Sequence, residues 1–187
     1  MAARSNRMLA RWEIAALGCA LIPFLQLNAR ANDLTGFAEF PFGITADQLK
    51  DKIDVFESDS SGDGVEYFSK RPRNINGKDF TINFLFRNEK LKRINLDYSR
   101  NYPKDSMAEK CTGDFAKITQ EIQDKYHITP QLMNSEKATF FASRFEFSHN
   151  SRISVYHMIL DDRGSAESSP ECVVRVEYLE SAVRNEF

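Results

Sequence analysis

Two cysteines constrain this chain more than any other feature it carries. Cys111 stands on a stripe with Phe115, Ile118, Ile122 and Tyr126, whose spacings of four, three, four and four mark the apolar face of one helix over Met107 to His127. Cys172 opens "CVVRVEYL", where Cys172, Val174, Val176 and Tyr178 alternate onto one side of a strand. If the helix lies across that strand the two sulfurs meet, and a bond closing 61 residues stabilises the fold by about 4 kcal/mol through the restricted unfolded chain. The expectation is a Cys111–Cys172 disulfide, since two cysteines alone make a poor metal site.

Such a bond needs an oxidising compartment, and the N-terminus supplies the address. Arg4, Arg7 and Arg11 precede an apolar run of 14 residues, Ile14 to Leu27, and Ala29-Arg30-Ala31 ends it with small residues one apart. This is the pattern of a secretory signal peptide, with cleavage expected before Asn32. The run contains Pro23 and Gln26 and falls short of the ~20 apolar residues of a spanning helix. The third cysteine, Cys19, sits inside the run and leaves with it. The expected organisation is therefore a cleaved leader, residues 1–31, and a single α+β domain, residues 32–187, that is periplasmic or secreted.

Of 25 basic and 27 acidic residues the leader holds four and one, leaving the remainder at 21 against 26, a net charge of −5. No basic block survives to neutralise phosphates, which argues against nucleic acid as a partner. No stretch beyond the leader approaches the length of a membrane span, and no cofactor-binding motif is present, so no cofactor is expected.

Along the chain, Thr45 with Gln48 three residues later reads as a capping box, flanked by Ile44 and Leu49 as a hydrophobic staple. A helix is expected from Thr45, with Leu49, Ile53 and Phe56 as its buried stripe. The following "SDSSGDG" places Asp59, Ser61, Asp63 and Gly64 at calcium-loop positions, but Lys70 occupies the twelfth place, where a glutamate is needed, so a plain turn-rich loop is expected. Strands are expected over residues 65–70, 79–86 and 91–99. Phe84 should face Ile94 and Ile82 face Leu96, leaving Asn88, Glu89 and Lys90 as a three-residue turn. After the second helix, further strands are expected over residues 139–147, 152–160 and 172–179. A two-residue turn at Asn150-Ser151 would pair Phe145 with Tyr156 and set Arg144 opposite His157, with Phe141, Phe145, Phe147, Tyr156, Met158 and Leu160 in the core. The order helix, three strands, helix, three strands reads as two αβββ units forming one antiparallel sheet with two helices packed on one face.

"PFGITADQL", "INFLFRNEKLKRINLDY", "KYHITP" and "VRVEYLES" together resemble a loose class of exported bacterial αβββ-αβββ domains, largely uncharacterised, that is distantly similar to β-lactamase-inhibitor-like proteins and to a small outer-membrane assembly lipoprotein. His127 stands where that class has glycine. The resemblance implies binding rather than catalysis.

In the register expected above, the face of the sheet away from the helices carries seven candidate contact residues, Arg144, Glu146, Val155, His157, Ile159, Arg175 and Glu177, beside Ala142, Val173 and Leu179, a mixture too apolar to stand fully in water. Two explanations stay open: a contact surface for another exported protein or an envelope component, or a face covered by residues 32–42 through Phe37, Phe40 and Phe42. The leading expectation is a non-catalytic binding protein. The alternatives are a small hydrolase or lyase using His157, Glu146 and Arg144, and a carrier of an apolar ligand among the phenylalanines.

Overall fold

The computed structural model describes residues 33–58, 64–134, 141–147, 151–160 and 170–180. The expected leader and the acidic loop at 59–63 lie outside them. An N-terminal ribbon, β1 (Gly36–Phe37) and β2 (Phe40–Pro41), leads into α1 (Ala46–Lys50), then β3 (Val55–Ser58), β4 (Val65–Ser69), β5 (Arg73–Ile75), β6 (Lys78–Arg87) and β7 (Lys90–Asn101). The helix α2 (Met107–Tyr126) follows, then β8 (Gln131–Asn134), β9 (Phe141–Glu146), β10 (Arg152–Leu160) and β11 (Glu171–Leu179).

One antiparallel sheet runs in the order β3-β4-β6-β7-β11-β10-β9-β8, with β5 paired beside β6. Each helix is thus followed by an antiparallel meander, and the last strands of the two meanders, β7 and β11, pair at the centre. The α+β class stands. The αβββ unit is not confirmed: β3 and β8 add an edge strand to each meander and the first also carries β5, strands of three or four residues that are too short for periodicity to reveal.

Thr45 caps α1 as a capping box, its hydroxyl accepting from the Gln48 amide while the Gln48 side chain accepts from the Thr45 amide. The helix stops at Lys50, so Phe56 is not on its stripe but in β3. α2 buries Met107, Cys111, Phe115, Ile118 and Ile122 as the periodicity requires, and ends on His127 in the left-handed conformation (φ 56°), where glycine would be least strained. Asp114 shares the buried stripe and accepts a hydrogen bond from the Tyr102 hydroxyl.

The disulfide closes as expected: Cys111 and Cys172 are bonded, their Cα atoms 5.6 Å apart. It fixes α2 over β10 and β11 and defines the covered side of the sheet. Residues directly opposite in a ladder project to the same side. Cys172, Val174, Val176 and Tyr178 therefore share that side with Tyr98, Leu96 and Ile94 of β7 and with Ile82 and Phe84 of β6. On the same side α1 buries Leu49, and the N-terminal ribbon lays Phe37 against Tyr178 and Phe40 against Phe84, ring centroids 5.0 Å apart in each case. These residues form one continuous core.

Two registers differ from expectation. Ile82 opposite Leu96 and Phe84 opposite Ile94 are as read, but a bulge at Leu85/Phe86 re-pairs Phe86 with Leu91 and Arg87 with Lys90. The turn shrinks to Asn88 and Glu89, both at positive φ (49° and 61°), as a tight hairpin demands. Between β9 and β10 the connection is longer than two residues: the Phe147 amide bonds to the Ser151 carbonyl, and Ile153 pairs with Phe145, Val155 with Ser143 and Tyr156 with Ala142. The odd-numbered slip turns β10 over. Ile153, Val155, His157 and Ile159 point to the covered side, and Tyr156, Met158 and Leu160 to the other.

Candidate functional site

The far side of the sheet, turned away from both helices and the N-terminal ribbon, is the candidate site. Its side chains form rows across the strands. One row crosses Phe68, Asn83, Asn95, Glu177, Ser154 and Arg144; the next crosses Thr81, Asp97, Arg175, Tyr156 and Ala142; a third crosses Glu66, Leu85, Arg93, Leu179, Arg152 and Glu146. Long charged residues alternate with short or apolar ones, and among them Leu85, Asn83 and Asn95 are buried.

The charges are organised in pairs. Arg175 and Asp97, directly opposite on β11 and β7, make a two-pronged contact: Nε donates to Oδ1 at 2.6 Å and a terminal nitrogen donates to Oδ2 at 2.7 Å. The planar guanidinium matches a carboxylate in this way and fixes both side chains. Arg93 bridges two acids, Glu66 at 3.4 Å and Glu177 at 3.8 Å, and Asn83 donates to the other Glu66 oxygen at 3.3 Å. Tyr156 lies beside Glu177, and burial first, then the Glu177 charge, push its phenol well above the usual tyrosine range. It stays a neutral donor. Arg144 and Glu146 form a looser pair, 3.7 Å apart, toward the β8 edge.

Apolar groups stand at both ends of this charged centre. At the β3 end Phe56 and Phe68 stack, centroids 5.6 Å apart, with Phe56 51% exposed. At the other end Met133 and Leu160 are exposed. Aromatic and arginine side chains beside a polar network are what protein-contact surfaces enrich.

Of the seven residues expected on this face, the structure places Arg144, Glu146, Arg175 and Glu177 there and removes three. Val155, His157 and Ile159 belong to the covered side, Val155 and His157 fully within it. His157 packs edge-on against Phe115 of α2 at 5.3 Å between ring centroids, and burial lowers its pKa. It does not share a face with Arg144 and Glu146, so the grouping that a proton-transfer site would need is not assembled. Residues 32–42 were the other open explanation for this face; the described part of that segment packs on the covered side through Leu34, Phe37 and Phe40.

Asp97, Arg93, Glu66, Tyr156 and the Phe56/Phe68 pair were missed by sequence reading. Arg93, Asp97 and Glu66 do alternate with core residues along their strands, and that parity was a signal available for them. Phe56 gave none, because it falls at helical spacing after Leu49.

Among the described residues, hollows also lie elsewhere. One of about 80 Å³ under α2, lined by Phe37, Phe80, Ile118 and Tyr178 among others, is well below the ~300 Å³ of a drug-sized ligand site. A larger cleft of about 460 Å³ opens beside α1 between Asp47, Gly64, Tyr67, Phe86 and Glu89. Among the described residues no group of three or more histidine, cysteine or acidic side chains could hold a metal, and no helix is long and apolar enough to cross a membrane. Comparison with protein-family models, with curated proteins and with solved structures finds no match for this chain.

Proposed function

We propose that this chain is an exported, disulfide-stapled binding protein, periplasmic or secreted, that meets another exported protein or an envelope component with the open face of its sheet. The observation that carries the reading is the asymmetry of that sheet. One side is closed by α2, α1 and the N-terminal ribbon, while the other presents Arg175–Asp97 and the Glu66–Arg93–Glu177 bridge in fixed geometry between exposed aromatic and aliphatic groups. Preformed ion pairs offer directional contacts without the entropic cost of ordering long side chains on binding. The Cys111–Cys172 bond suits a compartment without cytosolic reductant, and the leader-like N-terminus suits the same address.

A photo-crosslinking residue placed at Phe68 on the open face, compared with the same residue at Lys117 on the outer surface of α2, tests this in the producing cell. The expected result is a discrete adduct from position 68 only, on a chain whose mass begins at Asn32. An adduct from position 117 alone, or a chain retained uncleaved in the cytosol, contradicts it.

A further inference from the structure

The two edges of the sheet are unlike. At one edge β3 carries Glu57, which accepts a hydrogen bond from the Tyr67 hydroxyl at 3.0 Å, and Asp54 immediately precedes the strand, paired with Lys70 at 3.8 Å. Charge there discourages another strand from docking. At the other edge β8 is Gln131-Leu132-Met133-Asn134, without a charge, a proline or a bulge, and among the described residues it bonds only to β9. Alternate residues of β8 turn their N–H and C=O groups away from β9 and toward solvent. Leu132 is 73% exposed and Met133 42% exposed. Leu132 lies opposite Ser143 on the covered side and Met133 opposite Ala142 on the open side, so the edge is apolar on both.

We propose that β8 pairs antiparallel with β8 of a second copy of this chain, joining two sheets into one across a two-fold axis normal to them. The backbone groups on offer call for an extended strand as occupant. Between copies, β8 against β8 opposes no like charges, whereas β3 of a second copy would bring Asp54 and Glu57 against an edge with no cation to receive them. An axis normal to the sheet keeps covered side with covered side. That parity admits Leu132 opposite Leu132 of the second copy, with each Met133 opposite a Gln131, so both exposed apolar side chains are covered by one contact. Four residues from each copy bury less than the ~1,200 Å² of a standard interface, so the dimer is weak and forms with rising concentration.

Sedimentation velocity on the purified chain, from about 1 µM to about 1 mM, tests it. The wild type should pass from monomer to dimer and no further. Leu132→Lys should move the midpoint up by about tenfold or more, because two lysines then face each other across the axis. Asp54→Lys, at the other edge, should leave it unchanged. Leu132 is exposed, so the lysine does not disturb the core, and mixing Leu132→Lys with Leu132→Glu should restore the dimer independently of any effect on folding. A wild type monomeric throughout, a dimer indifferent to Leu132→Lys, or one weakened by Asp54→Lys overturns the proposal, as does a mixture of the two charge variants that stays monomeric.

Discussion

The two faces of this sheet are made by the same strands, yet they are different materials. On the covered face Phe84, Ile94, Val174, Val176 and Tyr178 touch one another and lose water. On the open face Asp97, Arg175, Arg93, Glu66 and Glu177, each next in the chain to a covered residue, stay partly wet and meet through charge. The difference teaches that side-chain parity along each strand, and not the composition of any segment, decides which residues hold the fold and which are free to work. Loss of a covered-face group should therefore cost stability, and loss of an open-face group should cost little.

The comparison breaks most visibly at the N-terminal ribbon. Deleting residues 33–41 removes the buried Leu34, Phe37 and Phe40, each worth about 2–5 kcal/mol, and should leave no cooperative unfolding transition by circular dichroism. An unchanged melting temperature would place the ribbon on the wrong face. Next in size, Cys111→Ala with Cys172→Ala should lower the unfolding free energy by about 4 kcal/mol in denaturant titration, without changing the open-face contacts.

On the open face the largest effect expected is smaller. Asp97→Asn leaves the partly exposed Arg175 with a weaker partner, and the cost should be about 1–2 kcal/mol, between that of a surface pair and a buried one. A loss of 4 kcal/mol would mean that this face is part of the core. Smallest is the pH response of His157. Burial lowers its folded pKa beneath the unfolded value, so the unfolded chain takes up the proton first. Stability is complete above about pH 6.5 and falls as pH drops through that value toward the folded pKa. Denaturation midpoints between pH 7.5 and 5.5 should show the decline, and His157→Leu should flatten it.

Much of the covered face was legible in the sequence because its signals are redundant. The α2 stripe, the Cys172-to-Tyr178 alternation and the Thr45 cap each draw on several residues that agree. The open face was legible only in part. In β10, "RISVYHMIL", apolar residues occupy both parities, so its orientation hung on the length of the β9–β10 connection. A loop that departs from two residues by an odd number moves His157 and Val155 from one side of the sheet to the other. The bulge after Leu85 did the same on a smaller scale, and β3 and β8 were too short to show a period at all. Residue types report parity well, but loop lengths and bulges set which parities meet.

The account stands or falls on the open face as the contact surface. The measurement that tests it most directly is the affinity of the chain for the partner crosslinked at Phe68, compared between wild type, the open-face variants Phe56→Glu and Arg144→Glu, and the covered-helix variant Lys117→Glu. The account predicts that the first two variants each weaken binding by about tenfold or more at unchanged melting temperature, and that Lys117→Glu binds as wild type. Equal affinity for all but Lys117→Glu would contradict it.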